Sequence, residues 1–305
     1  MRAVVTGATN GIGEAIARRL ASEGLTVTIV GRSDERLQAA GGRIESAVPG
    51  ADLVLERADL AELAQVRDLA ERLLAGPHPD AVISNAALVT PLDRMTSDGL
   101  PRVLAVNHLA PYLLLRILAA ALDRARLIVV GANPVSAGRR PVDLDDLTFT
   151  HPERLGEPAE LRPFLAYGRT KAMNAMFVFE FARRLAGSSI TVNCVHPGVI
   201  AGTGLGDEVP GIDVLVRQAV RDGVLRPGPP PRGRGAPQFS GSENPPGPDV
   251  GADTPAWLAT APGVEGVTGR FFVDREPVET APHLTDLARC ERLWSESARL
   301  TALPA

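Results

Sequence analysis

Along the first 130 residues, short apolar runs alternate with longer segments whose apolar positions recur every three to four residues. Runs at 2–6, 26–31, 52–56, 81–85 and 126–130 are too short for helices and read as buried strands. Between them, Ile12, Ile16 and Leu20, then Leu37 and Ile44, then Leu63, Val66, Leu69 and Leu73 each mark one face of a helix. The pattern further predicts helices over 98–122 and 160–185, a buried strand over 189–195, another over 268–274 and a terminal helix over 284–300. Strand and helix in strict alternation predict an α/β chain. The expected architecture is one doubly wound, Rossmann-type domain over residues 1–305 with a parallel sheet of about seven strands.

One segment interrupts this rhythm. Residues 226–249 hold eight prolines and five glycines in 24 positions, so neither helix nor strand is expected there. It reads equally as a lid over a site or as an insertion without function.

Composition narrows the partners. Hydrophobic residues make up 45% and charged residues 22% of the 305, enough apolar material for a large core. A formal net charge of −4 provides no basic field for nucleic acid or anionic lipid, which leaves small molecules. The stretch from Leu109 to Leu122 is interrupted by Arg116, so no membrane span is expected. The N-terminus carries no export signal, and a cytoplasmic location follows as an expectation. Cys194 and Cys290 stand apart, without metal-ligand spacing. Among 32 basic residues 31 are arginine, a bias of the kind a GC-rich bacterial genome produces. The single lysine, Lys171, stands out against it.

Two constellations carry chemistry. Thr6-Gly7-Ala8-Thr9-Asn10-Gly11-Ile12-Gly13 ends a strand and opens a helix. That is the setting of a dinucleotide fingerprint: Gly7 for the tight turn, Gly11 for bare backbone against pyrophosphate, Gly13 for packing of helix on sheet. The second strand then ends in Gly31-Arg32 where an NAD site carries an acidic residue. A small residue makes room and a guanidinium grips, so a 2'-phosphate and hence NADP(H) is expected; Arg32 as one more solvated arginine is the alternative. Tyr167 and Lys171 sit one helical turn apart on a common face. A phenol with a pKa near 10 gains acid/base power when an ammonium stabilises its anion. A lone lysine falling four residues after one of two tyrosines by chance has odds of roughly 2 in 305, which argues against accident.

With these residues in place the chain resembles the short-chain dehydrogenase/reductase family, retinol-dehydrogenase-like branch, over most of its length. The glycine run is similar to that family's TGxxxGxG, and Tyr167 with Lys171 to its YxxxK. The resemblance makes Gly7, Thr9, Asn10, Gly11, Ile12 and Gly13 cofactor contacts. It implies adenine contacts at Asp59 and Leu60, and a fourth-strand motif at Asn85-Ala86-Ala87 with alanine where glycine is usual. Asn107, within Val106-Asn107-His108-Leu109, would help hold a proton-relay water, and Pro197-Gly198-Val199 would line the nicotinamide side. Residues 264–273 resemble the branch's closing strand. The implied activity is NADP(H)-dependent interconversion of a ketone or aldehyde and an alcohol on a small hydrophobic substrate, with Tyr167 and Lys171 catalytic.

One departure stands out. Where the family places a serine that hydrogen-bonds the substrate carbonyl, the alignment places Ala132. Loss of one such donor costs on the order of 3 kcal/mol in the transition state. Asn133 or Ser136 would have to replace it, or the reaction does without. The latter keeps two rivals open: a redox-neutral isomerase, dehydratase or cyclase using Tyr167 as acid/base, and a non-catalytic NADP(H)-binding protein. His108 and His196 read as packing residues. The spacing of Phe177, Phe179 and Phe181 suits a homo-oligomer interface as well as core.

Overall fold

The computed structural model describes residues 1–133, 140–224 and 246–304. Its centre is an eight-stranded sheet in the order β3-β2-β1-β4-β5-β6-β7-β8. The strands are β1 (Arg2–Thr6), β2 (Thr26–Gly31), β3 (Leu53–Arg57), β4 (Ala81–Ser84), β5 (Arg124–Val130), β6 (Ser189–Val195), β7 (Phe271–Val273) and β8 (Glu276–Val278). Pairs up to β6–β7 are parallel, in agreement with the expected doubly wound fold, and β8 returns antiparallel to β7.

Helices α1 (Gly11–Ser22), α2 (Asp34–Ala47) and α3 (Leu63–Ala75) follow the first three strands. Next come α4 (Arg102–Ala121), α5 (Arg162–Arg184), α6 (Ile212–Arg221), α7 (Pro248–Thr260) and α8 (Leu287–Leu300). Each sheet face is covered by its own apolar cluster. One joins α1, α2 and α7 to the strands through Ile16, Leu20, Leu37 and Ala256. The other joins α3, α4, α5 and α8 through Leu69, Tyr112, Phe177 and Trp294.

The differences from the sequence pattern have local causes. The fourth helix starts at Arg102 rather than near residue 98, because Gly99 turns with φ +71° and the Asp98 carboxylate instead accepts the Leu63 N–H at the head of α3. The strand expected over 268–274 shrinks to three residues and enters a hairpin, whose tip residues Asp274 and Arg275 take φ +50° and +64°. That turn geometry favours Asn-Gly, so Asp-Arg gave no hairpin signal. Two helices, α6 and α7, were not anticipated. Pro248 begins α7 at a first-turn position where a missing N–H costs nothing, so the last residues of the proline-rich segment are helical. Residues 225–245, most of that segment, lie outside the described residues.

By length and composition α4 could cross a membrane, with a mean hydropathy of 1.6, but 78% of that stretch is buried inside the protein. Arg116 is accommodated by donating to the Tyr112 hydroxyl at 2.6 Å while its guanidinium lies 4.3 Å over the Trp294 ring. Of the three phenylalanines, Phe177 and Phe181 stack at 5.2 Å in this core, whereas Phe179 is half-buried.

Candidate active site

The sheet order reverses direction between β1 and β4, which opens a crevice at their carboxyl ends. Sequence residues from four segments converge on it. The Thr6 hydroxyl accepts from the Asn85 and Ala86 N–H groups at 3.0 and 3.2 Å, and the Asn85 amide donates to the Thr6 and Gly7 carbonyls at 3.0 and 3.3 Å. This stitching ends β4 one residue earlier than its apolar run suggests. It also makes each glycine necessary. A Cβ on Gly7, whose φ is +65°, would lie 2.8 Å from the Ala86 Cα, and one on Gly13 would lie 2.2 Å from the Gly7 oxygen.

Thr9 and Asn10 complete the turn. The Thr9 carbonyl accepts from Arg43 at 3.0 Å, and Asn10 caps α1 without a side-chain bond to its first turn. The leading N–H groups of α1 therefore point at the crevice with no side chain bonded to them among the described residues. Ile12 packs toward α7 beside Gly251. Such an uncapped, side-chain-free helix start fits a pyrophosphate.

At the end of β2, Gly31 leaves no void: a Cβ there would lie 2.5 Å from the Thr9 methyl and would meet Leu37. The glycine serves close packing rather than making room for a phosphate, which corrects that part of the expectation. Arg32 does face the crevice mouth, half-exposed, with Nη1 at 3.6 Å from the Glu208 carboxylate. Beyond β3, Asp59 braces its own loop by accepting the Ala61 N–H at 3.0 Å, with Leu60 half-buried next to it.

Tyr167 and Lys171 leave α5 toward the end of β5. The Lys171 ammonium, 3% exposed, donates to the Val130 carbonyl at 2.7 Å and lies 5.7 Å from the centre of the Tyr167 ring. Phe164 stacks on that ring at 5.8 Å. Burial dominates the ionisation of both: it pushes the Tyr167 phenol up to about 12 and pulls Lys171 down to about 8. The expected lowering of the phenol by its lysine is therefore not present in this arrangement. His196, after β6, is drawn down to about 3 by burial and then by Lys171, and is neutral.

Asn107 is fully buried inside a π-turn, Ala105–Leu109, within α4. Its side chain accepts from the Leu88 N–H at 2.9 Å and donates to the Leu88 carbonyl at 2.9 Å and the Thr170 hydroxyl at 3.1 Å. It thus ties the segment after β4, including half-buried Ala87, to α5. Its own carbonyl accepts from Asn174 at 2.8 Å. Asn174 in turn meets His108, which bonds Ser297 of α8 at 2.8 Å. Burial holds His108 down at about 4, and the ring is neutral packing, as expected.

Ala132 lies two residues past Val130 and offers no side-chain donor. Asn133 beside it is buried, and Ser136 lies outside the described residues. After β6, Pro197, Gly198 (φ +96°) and Val199 carry the chain into a loop that crosses back over the glycine turn. There Gly11, with φ +54°, faces Thr203, whose carbonyl accepts from Asn10 at 3.4 Å. Sequence reasoning missed Thr170, Asn174, Thr203 and Glu208 and the bonds that Thr6 accepts, since each acts through a fold contact between distant segments. Taken as a donor set, the open helix start, a buried ammonium and a guanidinium at the mouth fit a phosphorylated dinucleotide.

Comparison with known proteins gives the family. Residues 1–135 match the family model of the short chain dehydrogenases. A Streptomyces sp. (strain C5) protein, named provisionally as a daunorubicin C-13 ketoreductase, is 35% identical over 97% of this chain and 90% of its own. Human retinol dehydrogenase 14 is 31% identical over 98% of this chain and 86% of its own. Among solved structures, a short chain dehydrogenase from Burkholderia cenocepacia J2315 in complex with NADP is 26% identical, with a TM-score of 0.61 over 89% of this chain and 94% of that one.

Proposed function

Because the chain belongs to the short-chain dehydrogenase/reductase family, on its retinol-dehydrogenase-like side, we propose that it is an NADP(H)-dependent enzyme interconverting a ketone or aldehyde and the alcohol on a small hydrophobic substrate. The observation that carries this reading is the meeting of Tyr167 and buried Lys171 at the end of β5, beside an uncapped glycine turn.

A bound nicotinamide cofactor supplies or accepts the hydride. The chain's own residues do the rest. The first turn of α1 and the bare backbone of Gly7 and Gly11 hold the pyrophosphate, and Arg32 takes the 2'-phosphate. Asp59 and Leu60 flank the adenine, while Ala86, Ala87, Pro197, Gly198 and Val199 flank the nicotinamide. Lys171, which among the described residues donates one ammonium proton to Val130, would offer the others to the nicotinamide ribose. Tyr167 gives its proton to the carbonyl oxygen in reduction. The phenol enters reduction protonated, and the nearby Lys171 ammonium stabilises the phenolate that proton transfer leaves. Asn107 positions the relay water while it braces Thr170.

Cofactor titration tests the reading. NADPH is expected to bind more tightly than NADH, and Arg32→Ala to erase most of the difference. Equal affinities in the unmodified protein would refute the 2'-phosphate assignment.

A further inference from the structure

Two guanidiniums at the crevice mouth converge on one atom. Arg32 Nη1 lies 3.6 Å and Arg102 Nη2 3.7 Å from the same carboxylate oxygen, Oε1 of Glu208. These arginines come from the end of β2 and the start of α4, so only the fold brings them together. Both separations are longer than the 2.7–2.9 Å of a charge-assisted hydrogen bond, so the carboxylate sits between the two cations without satisfying either. Arg102 has a further unmet donor: its buried Nε–H has no hydrogen-bond partner among the described residues.

Glu208 is delivered by the loop that crosses the crevice. That loop is fastened at Asn10, which donates to the Thr203 carbonyl at 3.4 Å, and at Val89, whose N–H donates to the Leu205 carbonyl at 2.9 Å. The carboxylate thus reaches the place where Arg32 would meet an incoming anion.

We propose that Arg102 joins Arg32 as a second ligand for the cofactor's 2'-phosphate, and that Glu208 holds this place until the phosphate displaces it. The inference rests on the NADP(H) reading above. Two nitrogens that can sit on either side of one carboxylate oxygen can also take separate oxygens of one phosphate. A phosphate brings close to two negative charges and three acceptors against a single carboxylate charge, so it outcompetes Glu208 for both arginines. Expelled, Glu208 is repelled by the phosphate and its loop loses one of its fastenings. NADH brings no such group and leaves the clasp in place.

The test is calorimetric titration of the full chain with NADPH and with NADH. Half-exposed ion pairs are weak, so Glu208→Gln should tighten NADPH binding by about two- to fivefold while shifting NADH by less than about twofold. Arg102→Ala should weaken NADPH by about tenfold or more and spare NADH, whose retained binding shows that the crevice is folded. In the Arg102→Ala/Glu208→Gln double variant the gain from removing Glu208 should shrink. An unchanged NADPH affinity in Glu208→Gln or in Arg102→Ala overturns the proposal. An equal gain for NADH and NADPH in Glu208→Gln also overturns it, because the loop would then be blocking the crevice as a whole. The Arg32→Ala arm separates the two levels of inference. If Arg32→Ala abolishes the NADPH preference while the other variants do nothing, only this proposal falls; if the unmodified protein shows no preference, the NADP(H) reading falls with it.

Discussion

Replacing Lys171 by methionine should stabilise the protein relative to its expectation for a buried hydrogen-bonding residue, while destroying its reactivity. Lys171 is 3% exposed, and among the described residues its ammonium makes one hydrogen bond, to the Val130 carbonyl. Burial lowers its pKa from 10.5 to about 8, which corresponds to roughly 3 kcal/mol against the charged form at neutral pH. Methionine fills similar volume without charge but leaves the Val130 oxygen unpaired, at a cost of about 1–3 kcal/mol. At pH 7 the two terms nearly cancel, and Lys171→Met should change the unfolding free energy by no more than about 2 kcal/mol in the stabilising direction. The pH profile is the sharper signature. Below pH 8 both folded and unfolded lysine are protonated, and the penalty is constant. Between 8 and 10.5 the folded protein gives up the proton that the unfolded chain keeps, so stability of the unmodified protein rises relative to the variant, by up to about 1.4 kcal/mol per pH unit. Urea denaturation followed by tryptophan fluorescence at pH 7, 8, 9 and 10 measures this difference. Parallel profiles, or a difference that falls with rising pH, would show that Lys171 is not held as a strained buried cation.

Three further outcomes follow from the same geometry. Gly13→Ala puts a methyl 2.2 Å from the Gly7 oxygen, so the start of α1 must move; thermal melts should show a loss of about 1–3 kcal/mol, and NADPH titration at least a tenfold weakening. Ala132→Ser should raise single-turnover reduction, by up to about a hundredfold, if no neighbour already polarises the carbonyl; no change there combined with a large loss in Asn133→Ala would assign the donor to Asn133. Buried Glu180 loses ionisation free energy to its surroundings, yet the hydrogen bonds from Arg183 and Arg184 outweigh that and hold its pKa below 4.5. Its stabilisation is therefore present above pH 4.5 and lost as pH falls through the lowered value; Glu180→Gln should cost about 1–3 kcal/mol at pH 7 in urea melts and flatten that acid limb.

The parallel strands were legible because each is a short apolar run bounded by turn residues, and the glycine turn because its spacing reports a local backbone requirement. What escaped depended on contacts between segments. Nothing near residue 98 shows that Asp98 serves Leu63 of another helix, and the Asp-Arg tip of the β7–β8 hairpin hides a turn that its tertiary setting enforces. The same holds in the site. Tyr167 and Lys171 announce themselves by helical spacing, but the degree to which burial governs their ionisation depends on what β5 and β6 pack around them. Asn107 was found by motif, whereas its grip on Leu88 and Thr170 belongs to the π-turn, which the hydrophobic pattern cannot reveal. Gly31 was read as room for a phosphate, whereas a Cβ there would meet Thr9 and Leu37, a close packing between segments that the sequence does not display.

The central claim is that Tyr167 gives a proton to a carbonyl as hydride arrives from NADPH. Its most direct test is single-turnover loss of nicotinamide absorbance with an apolar ketone or aldehyde that the unmodified protein reduces, comparing it with Tyr167→Phe. The account predicts hydride transfer in the unmodified protein and at least a hundredfold slower transfer in the variant, with NADPH affinity kept within about twofold. Hydride transfer at an undiminished rate in Tyr167→Phe would contradict it.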